Sequence, residues 1–162
     1  MEGDDKMRVT KYGVWNNKDK RPYMIKEIAF NYNADKCFSS PQNVVDLLKN
    51  AFHMADLAEE YVYMLALDGK NNLLGVFEVT HGASCYSYIS TKSIYERALL
   101  CGANAIILAH NHPSGDPKAS SADVDVCKKI KKAGELLDIK LLDFLVIGNP
   151  DYISFNTENL LC

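Results

Sequence analysis

The pattern of hydrophobic and polar positions divides the chain into a polar start and a segment rich in regular elements. Residues 1–22 are largely polar and end at a proline, so we predict a tail or loose loop there and a single domain over residues 23–162. β-Branched and aromatic residues become frequent over residues 23–32, which predicts a strand. Ser40 followed by Pro41 is typical of a helix start, and apolar residues at helical spacing come next.

The middle of the chain predicts a hairpin and a second helix. Residues 61–67 and 73–80 are apolar runs separated by a short stretch of turn-forming residues, which indicates two antiparallel strands. Ser90 or Thr91 can cap a helix that follows at once, and Gly102 stands where that helix should end.

The last third of the chain continues the alternation of strands and helices. Residues 105–109 form a short apolar run that predicts a buried strand, and Ser120 begins an amphipathic helix. Two further strands are predicted over residues 139–147 and 152–155, on either side of a turn. Helices interspersed with strands and one clear hairpin predict an α/β layer fold with a mixed sheet.

Composition narrows the class of protein. The 162 residues suit one domain, and a net charge of −3 argues against a protein that coats nucleic acid. The five cysteines contain no Cys-x-x-Cys pair, so neither a disulfide scaffold nor a zinc ribbon is indicated. The N-terminus lacks the features of a secretory signal, and no apolar run approaches the ~20 residues that span a membrane. We therefore expect a cytoplasmic protein with no membrane partner.

Two histidines and an aspartate form the strongest chemical signal. Side chains alternate along a strand, so His110 and His112 point to the same side if the strand over residues 105–109 continues through them. The glycine and prolines that follow allow the chain to reverse, and the next helix then brings Asp123 back in its first turn. Three such ligands suit Zn²⁺ and leave a fourth position for water, which is typical of a catalytic site. Hydrolysis is the chemistry that such a site supports.

Each of these residues also has a simpler structural explanation. Ser120 and Asp123 have the spacing of a helix-capping pair, a role that is compatible with holding a ligand on a rigid first turn. A hydrolase needs a general base, and Glu78 is conspicuous as the one acidic residue of an apolar strand. Glu78 alone would equally fit a solvent-facing position on a half-buried strand.

Together these residues resemble a known family. The pattern His110-x-His112, seven residues, Ser120, two residues, Asp123, with Glu78 upstream, is similar to the JAMM metalloprotease motif of JAB/MPN domains. More narrowly, the sequence IILAHNHPSG over residues 106–115 resembles the RadC family of bacterial JAB-domain proteins, and the likeness extends over residues 39–155.

The resemblance implies a fold, a reaction and roles for these residues. The implied fold is the three-layer JAB/MPN α/β fold, similar to cytidine deaminases, with a mixed and largely antiparallel sheet flanked by helices. The implied activity is that of a zinc-dependent metallohydrolase cleaving a peptide or isopeptide bond of a peptide or protein substrate, with one Zn²⁺ per chain. His110, His112 and Asp123 would bind the metal, Glu78 would act as general base, and Ser120 would stabilise the oxyanion.

Two departures from the family pattern keep a second hypothesis open. Family members commonly place a helix-hairpin-helix module ahead of this domain, and residues 1–38 are too few for one, so we expect none. Phe144 stands where the family often has a histidine. The alternative is a non-catalytic RadC-like module of DNA repair or recombination. Beyond the family association, its support is a cluster of lysines on the last helix, which is also typical of a solvated helix face: Lys128, Lys129, Lys131 and Lys132.

Overall fold

A computed structural model describes residues 6–33, 37–82 and 89–161, and these residues form one seven-stranded sheet and three helices. The strands are β1 Met7–Asn16, β2 Pro22–Tyr32, β3 Tyr61–Leu67, β4 Leu73–His81, β5 Ala105–Asn111, β6 Lys140–Ile147 and β7 Tyr152–Ser154. The helices are α1 Pro41–Phe52, α2 Thr91–Cys101 and α3 Ser121–Leu137. The strand order is β2-β1-β4-β3-β5-β6-β7, and the β1–β4 and β5–β6 pairs are parallel while the other neighbours are antiparallel.

The sheet separates two hydrophobic cores, which makes the fold a three-layer α/β structure. On one face, which we call the α2/α3 face, strand residues such as Met64 and Leu108 pack with residues of α2 and α3. On the other, the α1 face, strand residues such as Leu65 and Ile107 pack with residues of α1. The alternation of side chains along each strand supplies both cores from the same strands. The predicted mixed, largely antiparallel sheet flanked by helices is confirmed.

Each helix begins at a serine that caps it. The hydroxyl oxygens of Ser40, Ser90 and Ser120 accept hydrogen bonds from the backbone N–H three residues on, which satisfies a donor that the helix itself cannot. α2 ends at Gly102, whose φ of 69° lies in the left-handed region. Among the described residues, no helix combines the length and the apolar composition required to cross a bilayer.

The N-terminal segment differs from the prediction. Residues 1–22 were expected to form a tail or loose loop, but Met7–Asn16 is a ten-residue strand that pairs with β2 along its whole length and contacts β4 on its other side. The polar run after Asn16 is the turn of this hairpin, closed by a 2.9 Å bond from the Asn17 N–H to the Arg21 C=O. The sequence pattern does not indicate this strand because a part-buried lysine, Lys11, interrupts its apolar alternation. The Lys11 ammonium lies 2.9 Å from the Glu78 carboxylate.

Candidate metal centre

β5 carries the two histidines to one face of the sheet. This strand lies in the middle of the sheet, antiparallel to β3 and parallel to β6, and all its residues are buried. His112 lies just beyond its end, where the His112 N–H donates a 2.9 Å hydrogen bond to the Ile147 C=O and so continues the extended backbone. His110 and His112 therefore both point to the α2/α3 face, as the alternation predicts.

A tight turn then returns the chain towards the histidines. The Gly115 N–H donates to the His112 C=O at 2.9 Å, and Gly115 has a φ of 82°, which a side chain would disfavour. The Gly115 C=O accepts a 3.0 Å bond from the Asn149 N–H, which fixes this turn against the loop after β6. α3 begins six residues later, at Ser121, so the first turn of that helix lies beside the ends of β5 and β6.

Asp123 completes a group of three possible metal ligands. The Nε2 atoms of His110 and His112 are 3.1 Å apart, and His110 Nε2 lies 3.1 Å from Asp123 Oδ1. This is the one group of this kind in residues 6–33, 37–82 and 89–161. Metal–ligand bonds of 2.0–2.2 Å in a tetrahedron place the ligand atoms about 3.3–3.6 Å apart, which is close to the observed 3.1 Å, so the spacing fits a small tetrahedral ion. We refer to His110, His112 and Asp123 as the metal group.

The surrounding hydrogen bonds orient two of these ligands. His112 Nδ1 lies 2.7 Å from the Asp116 C=O, which selects the tautomer that leaves Nε2 for a metal. Asp123 Oδ2 accepts hydrogen bonds from the Ser120 N–H at 2.6 Å and the Ser120 hydroxyl at 2.7 Å, which leaves Oδ1 directed at His110. Burial alone would raise the pKa of Asp123, but His110 and Ser120 hold it below its usual range. Asp123 is therefore an anion at neutral pH, as a ligand must be.

Ser120 lies where the spacing places it and already has a structural role. It forms a capping box with Asp123. The Ser120 hydroxyl oxygen accepts a 3.1 Å hydrogen bond from the Asp123 N–H, and the same hydroxyl donates a hydrogen bond to Asp123 Oδ2. The capping and ligand-holding explanations of this pair are thus compatible.

The structure does not bring Glu78 to the metal group. Glu78 pairs with Tyr63, which in turn pairs with Ala109, so its side chain belongs to the α1 face while His110 faces the other way. Its carboxylate is held by Lys11 Nζ and His81 Nδ1, each at 2.9 Å. Burial opposes ionisation, yet these two partners lower the pKa of Glu78. Glu78 is a member of an ion-pair network.

Among the residues that the structure describes, Glu60 is a carboxylate on the same face of the sheet as the metal group. Val62 pairs with His110, so extending this antiparallel register by two residues places Glu60 opposite His112. Burial raises the pKa of Glu60, and the charges that act on it most are those of the metal group itself. The sequence contained a signal for this residue: Glu60 continues the alternation of Val62 and Met64, which lie on the α2/α3 face.

Phe144 packs against the His110 ligand of the metal group. It is 1% exposed, and its ring centroid lies 5.3 Å from that of His110 and 5.0 Å from that of Phe155. Phe144 therefore contacts a candidate ligand directly. The Phe144 ring holds the His110 imidazole through packing alone.

Replacing Phe144 by alanine is expected to lower the free energy of unfolding by about 3–5 kcal/mol, the range for a buried phenylalanine. Urea denaturation of the metal-free protein measures this change. Leu136→Ala serves as the control, because Leu136 is 87% exposed and its loss should change stability by about 0.5 kcal/mol or less. Equal stabilities of the two variants would contradict the packing role of Phe144.

Comparison with known proteins places this site in a family. A family model described as the RadC-like JAB domain matches residues 38–160. A UPF0758 protein of Carboxydothermus hydrogenoformans is 40% identical over 123 residues, covering 76% of this chain and 54% of that protein. UPF0758 proteins of Pelobacter propionicus and Geotalea uraniireducens are 36% identical over 129 residues and 37% identical over 140 residues.

The chain covers 55% and 60% of those last two relatives, so it spans little more than half the length of the proteins it matches. The family match extends over most of the chain and includes the whole metal group. The chain belongs to the RadC-like JAB domain family.

Proposed function

We propose that this protein is a zinc-dependent hydrolase of the JAMM type that cleaves a peptide or isopeptide bond. The observation that carries the proposal is the convergence of His110 Nε2, His112 Nε2 and Asp123 Oδ1, with distances of 3.1 Å from His110 to each of the others. The presence of Glu60 on the same face supports a hydrolytic role, since it adds a carboxylate to a possible metal site.

The donor set favours zinc among the common metals. Two imidazoles and one carboxylate are typical ligands of catalytic Zn²⁺, and three protein ligands leave one position of a tetrahedron open. When bound in such a site, Zn²⁺ lowers the pKa of water to roughly 7 and polarises a carbonyl group. His110, His112 and Asp123 would hold the ion, one per chain.

Glu60 would move the proton that hydrolysis requires. As general base its carboxylate takes a proton from the attacking water, and as general acid it gives that proton to the leaving nitrogen, so that the C–N bond breaks to an acid and a neutral amine. A base is most effective when its pKa is near the working pH. Burial raises the pKa of Glu60 in that direction.

Ser120 would serve the reaction in two ways. It positions Asp123 through its N–H and hydroxyl, as described above. The resemblance also implies that its hydroxyl stabilises the oxyanion, for which the hydroxyl must turn away from Asp123. The Ser120 N–H, 2.6 Å from Asp123 Oδ2, would then still hold that carboxylate in place.

Metal analysis combined with substrate screening tests the proposal. The purified protein should contain roughly one zinc per chain. It should cleave members of a library of linear peptides and lysine-linked isopeptides, detected by mass spectrometry. A chelator should stop cleavage, and added Zn²⁺ should restore it. Bound zinc without cleavage of any substrate would contradict the proposal. Salt-dependent DNA binding under the same conditions would instead favour the non-catalytic alternative.

A further inference from the structure

Asn111 lies between the two histidines and points away from them. It is 1% exposed, and the alternation along β5 turns its side chain to the face opposite His110 and His112. A buried amide must satisfy its polar atoms. Asn111 does so on the backbone of the neighbouring chain segment rather than on another side chain.

The Asn111 side-chain amide forms hydrogen bonds with the backbone on both sides of Glu60. Its Oδ1 accepts a 2.7 Å hydrogen bond from the Tyr61 N–H, and its Nδ2 donates a 3.0 Å hydrogen bond to the Glu59 C=O. The Glu60 C=O itself accepts a 2.9 Å bond from the Gly82 N–H. The backbone around Glu60 is thus fixed at three consecutive residues, two of them through one side chain.

We propose that Asn111 is a positioning residue that sets the place of the Glu60 carboxylate relative to the metal group. Glu60 precedes the first residue of β3, where the regular ladder with β5 gives no support. Asn111 supplies that support from a strand position flanked by two of the candidate ligands. One rigid amide therefore connects the base to the histidines. This inference rests on the proposed function.

The chemistry of the contact explains why asparagine is needed. The side chain must offer an acceptor to the Tyr61 N–H and a donor to the Glu59 C=O at the same time, which the two atoms of an amide do and an ionised carboxylate cannot do. Aspartate would keep the acceptor and the size but would turn a second oxygen towards the Glu59 carbonyl. Alanine would leave both backbone groups without this partner.

Kinetics of Asn111→Ala test the inference. With the best peptide or isopeptide substrate, kcat should fall about 10–100-fold because a displacement of about 1 Å in a reacting group costs that much. KM and zinc content should stay as in the unchanged protein. In a Glu60→Gln background the same substitution should lower the rate by no more than about two-fold, because it acts only through Glu60. A purely structural role would instead give additive losses.

Cobalt substitution gives a readout that needs no substrate. The visible absorption of bound Co²⁺ should change in the same direction in Asn111→Ala and Glu60→Gln, at equal cobalt content. The double variant should match Glu60→Gln. If no substrate is cleaved, the proposed function fails while these spectra still decide the role of Asn111. An unchanged Co²⁺ spectrum in Asn111→Ala would overturn the inference, as would additive rate losses.

Two further variants distinguish a positioning effect of Asn111 from a folding defect. Asn104→Ala removes an exposed asparagine just before β5, at the opposite end of the same strand pair, and should match the unchanged protein in all measurements. Asn111→Asp preserves the shape of the side chain where the alanine variant does not fold. It should shift the rate and the Co²⁺ spectrum in the same direction, and a fully active Asn111→Asp would count against the need for the donor to Glu59.

Discussion

Glu60→Gln should lower kcat by about 10²–10⁴-fold while zinc content and folding stay unchanged. Glutamine has nearly the same shape as glutamate but cannot accept and return a proton. Glu60 lies on the face of His110 and opposite His112, so its loss should affect catalysis rather than the metal. Initial rates on one cleaved substrate, together with metal analysis of the same sample, measure the two effects separately.

Glu78→Gln is the matched control for this experiment. The same chemical change at Glu78 removes an ion pair with Lys11 on the other face of the sheet. Because the Glu78 side chain is 26% exposed, stability should change by about 1 kcal/mol or less, and activity should remain. Activity lost in Glu78→Gln but kept in Glu60→Gln would return the role of base to Glu78.

Asp123→Ala should abolish zinc binding, and activity with it. The substitution removes one of three ligands and leaves two imidazoles, too few to hold the ion against water. The loss of affinity should exceed the 10–100-fold that removal of an outer hydrogen-bond partner typically costs. Metal content after dialysis against a weak chelator measures this, and His112→Ala should behave in the same way.

Two variants near Asp123 distinguish the contribution of the metal ligand to zinc binding from that of the helix cap. Ser120→Ala removes the hydroxyl that donates to Asp123 Oδ2 but keeps the N–H, so zinc should bind about 10–100-fold more weakly rather than be lost. Asp125→Ala removes an exposed carboxylate two residues after Asp123 and should leave zinc affinity unchanged. Equal zinc content in Asp123→Ala and Asp125→Ala would rule out the assigned metal group.

Local signals were enough to predict most of the fold. Ser40, Ser90 and Ser120 cap the three helices at the positions that sequence indicates, because a cap depends on residues within one turn. The predicted strands from residue 23 onward are also confirmed. β1 was missed because its strand character depends on partners on both sides and on a lysine neutralised by distant carboxylates.

The same distinction applies to the site. The grouping of His110, His112 and Asp123 could be predicted from the sequence, because a strand, a turn and a capped first helical turn follow one another directly. The carboxylate on the same face as these ligands could not be predicted from the composition of β4 alone. Two register shifts interrupt the β3–β4 pairing, one between Ala66 and Leu67 and one between Val62 and Tyr63, and such shifts have no clear mark in the sequence. Glu60 could have been found from the alternation in β3.

The N-terminal hairpin decides which strand edge meets the solvent. β1 occupies the side of β4 that would otherwise present unpaired backbone groups to other chains. β2 becomes the outer strand instead, and it carries three features that discourage strand addition: Pro22 at its start, an exposed Lys26, and a register shift opposite Lys11 and Tyr12. The segment that was predicted to be a tail or loose loop thus protects this edge of the sheet against edge-to-edge aggregation.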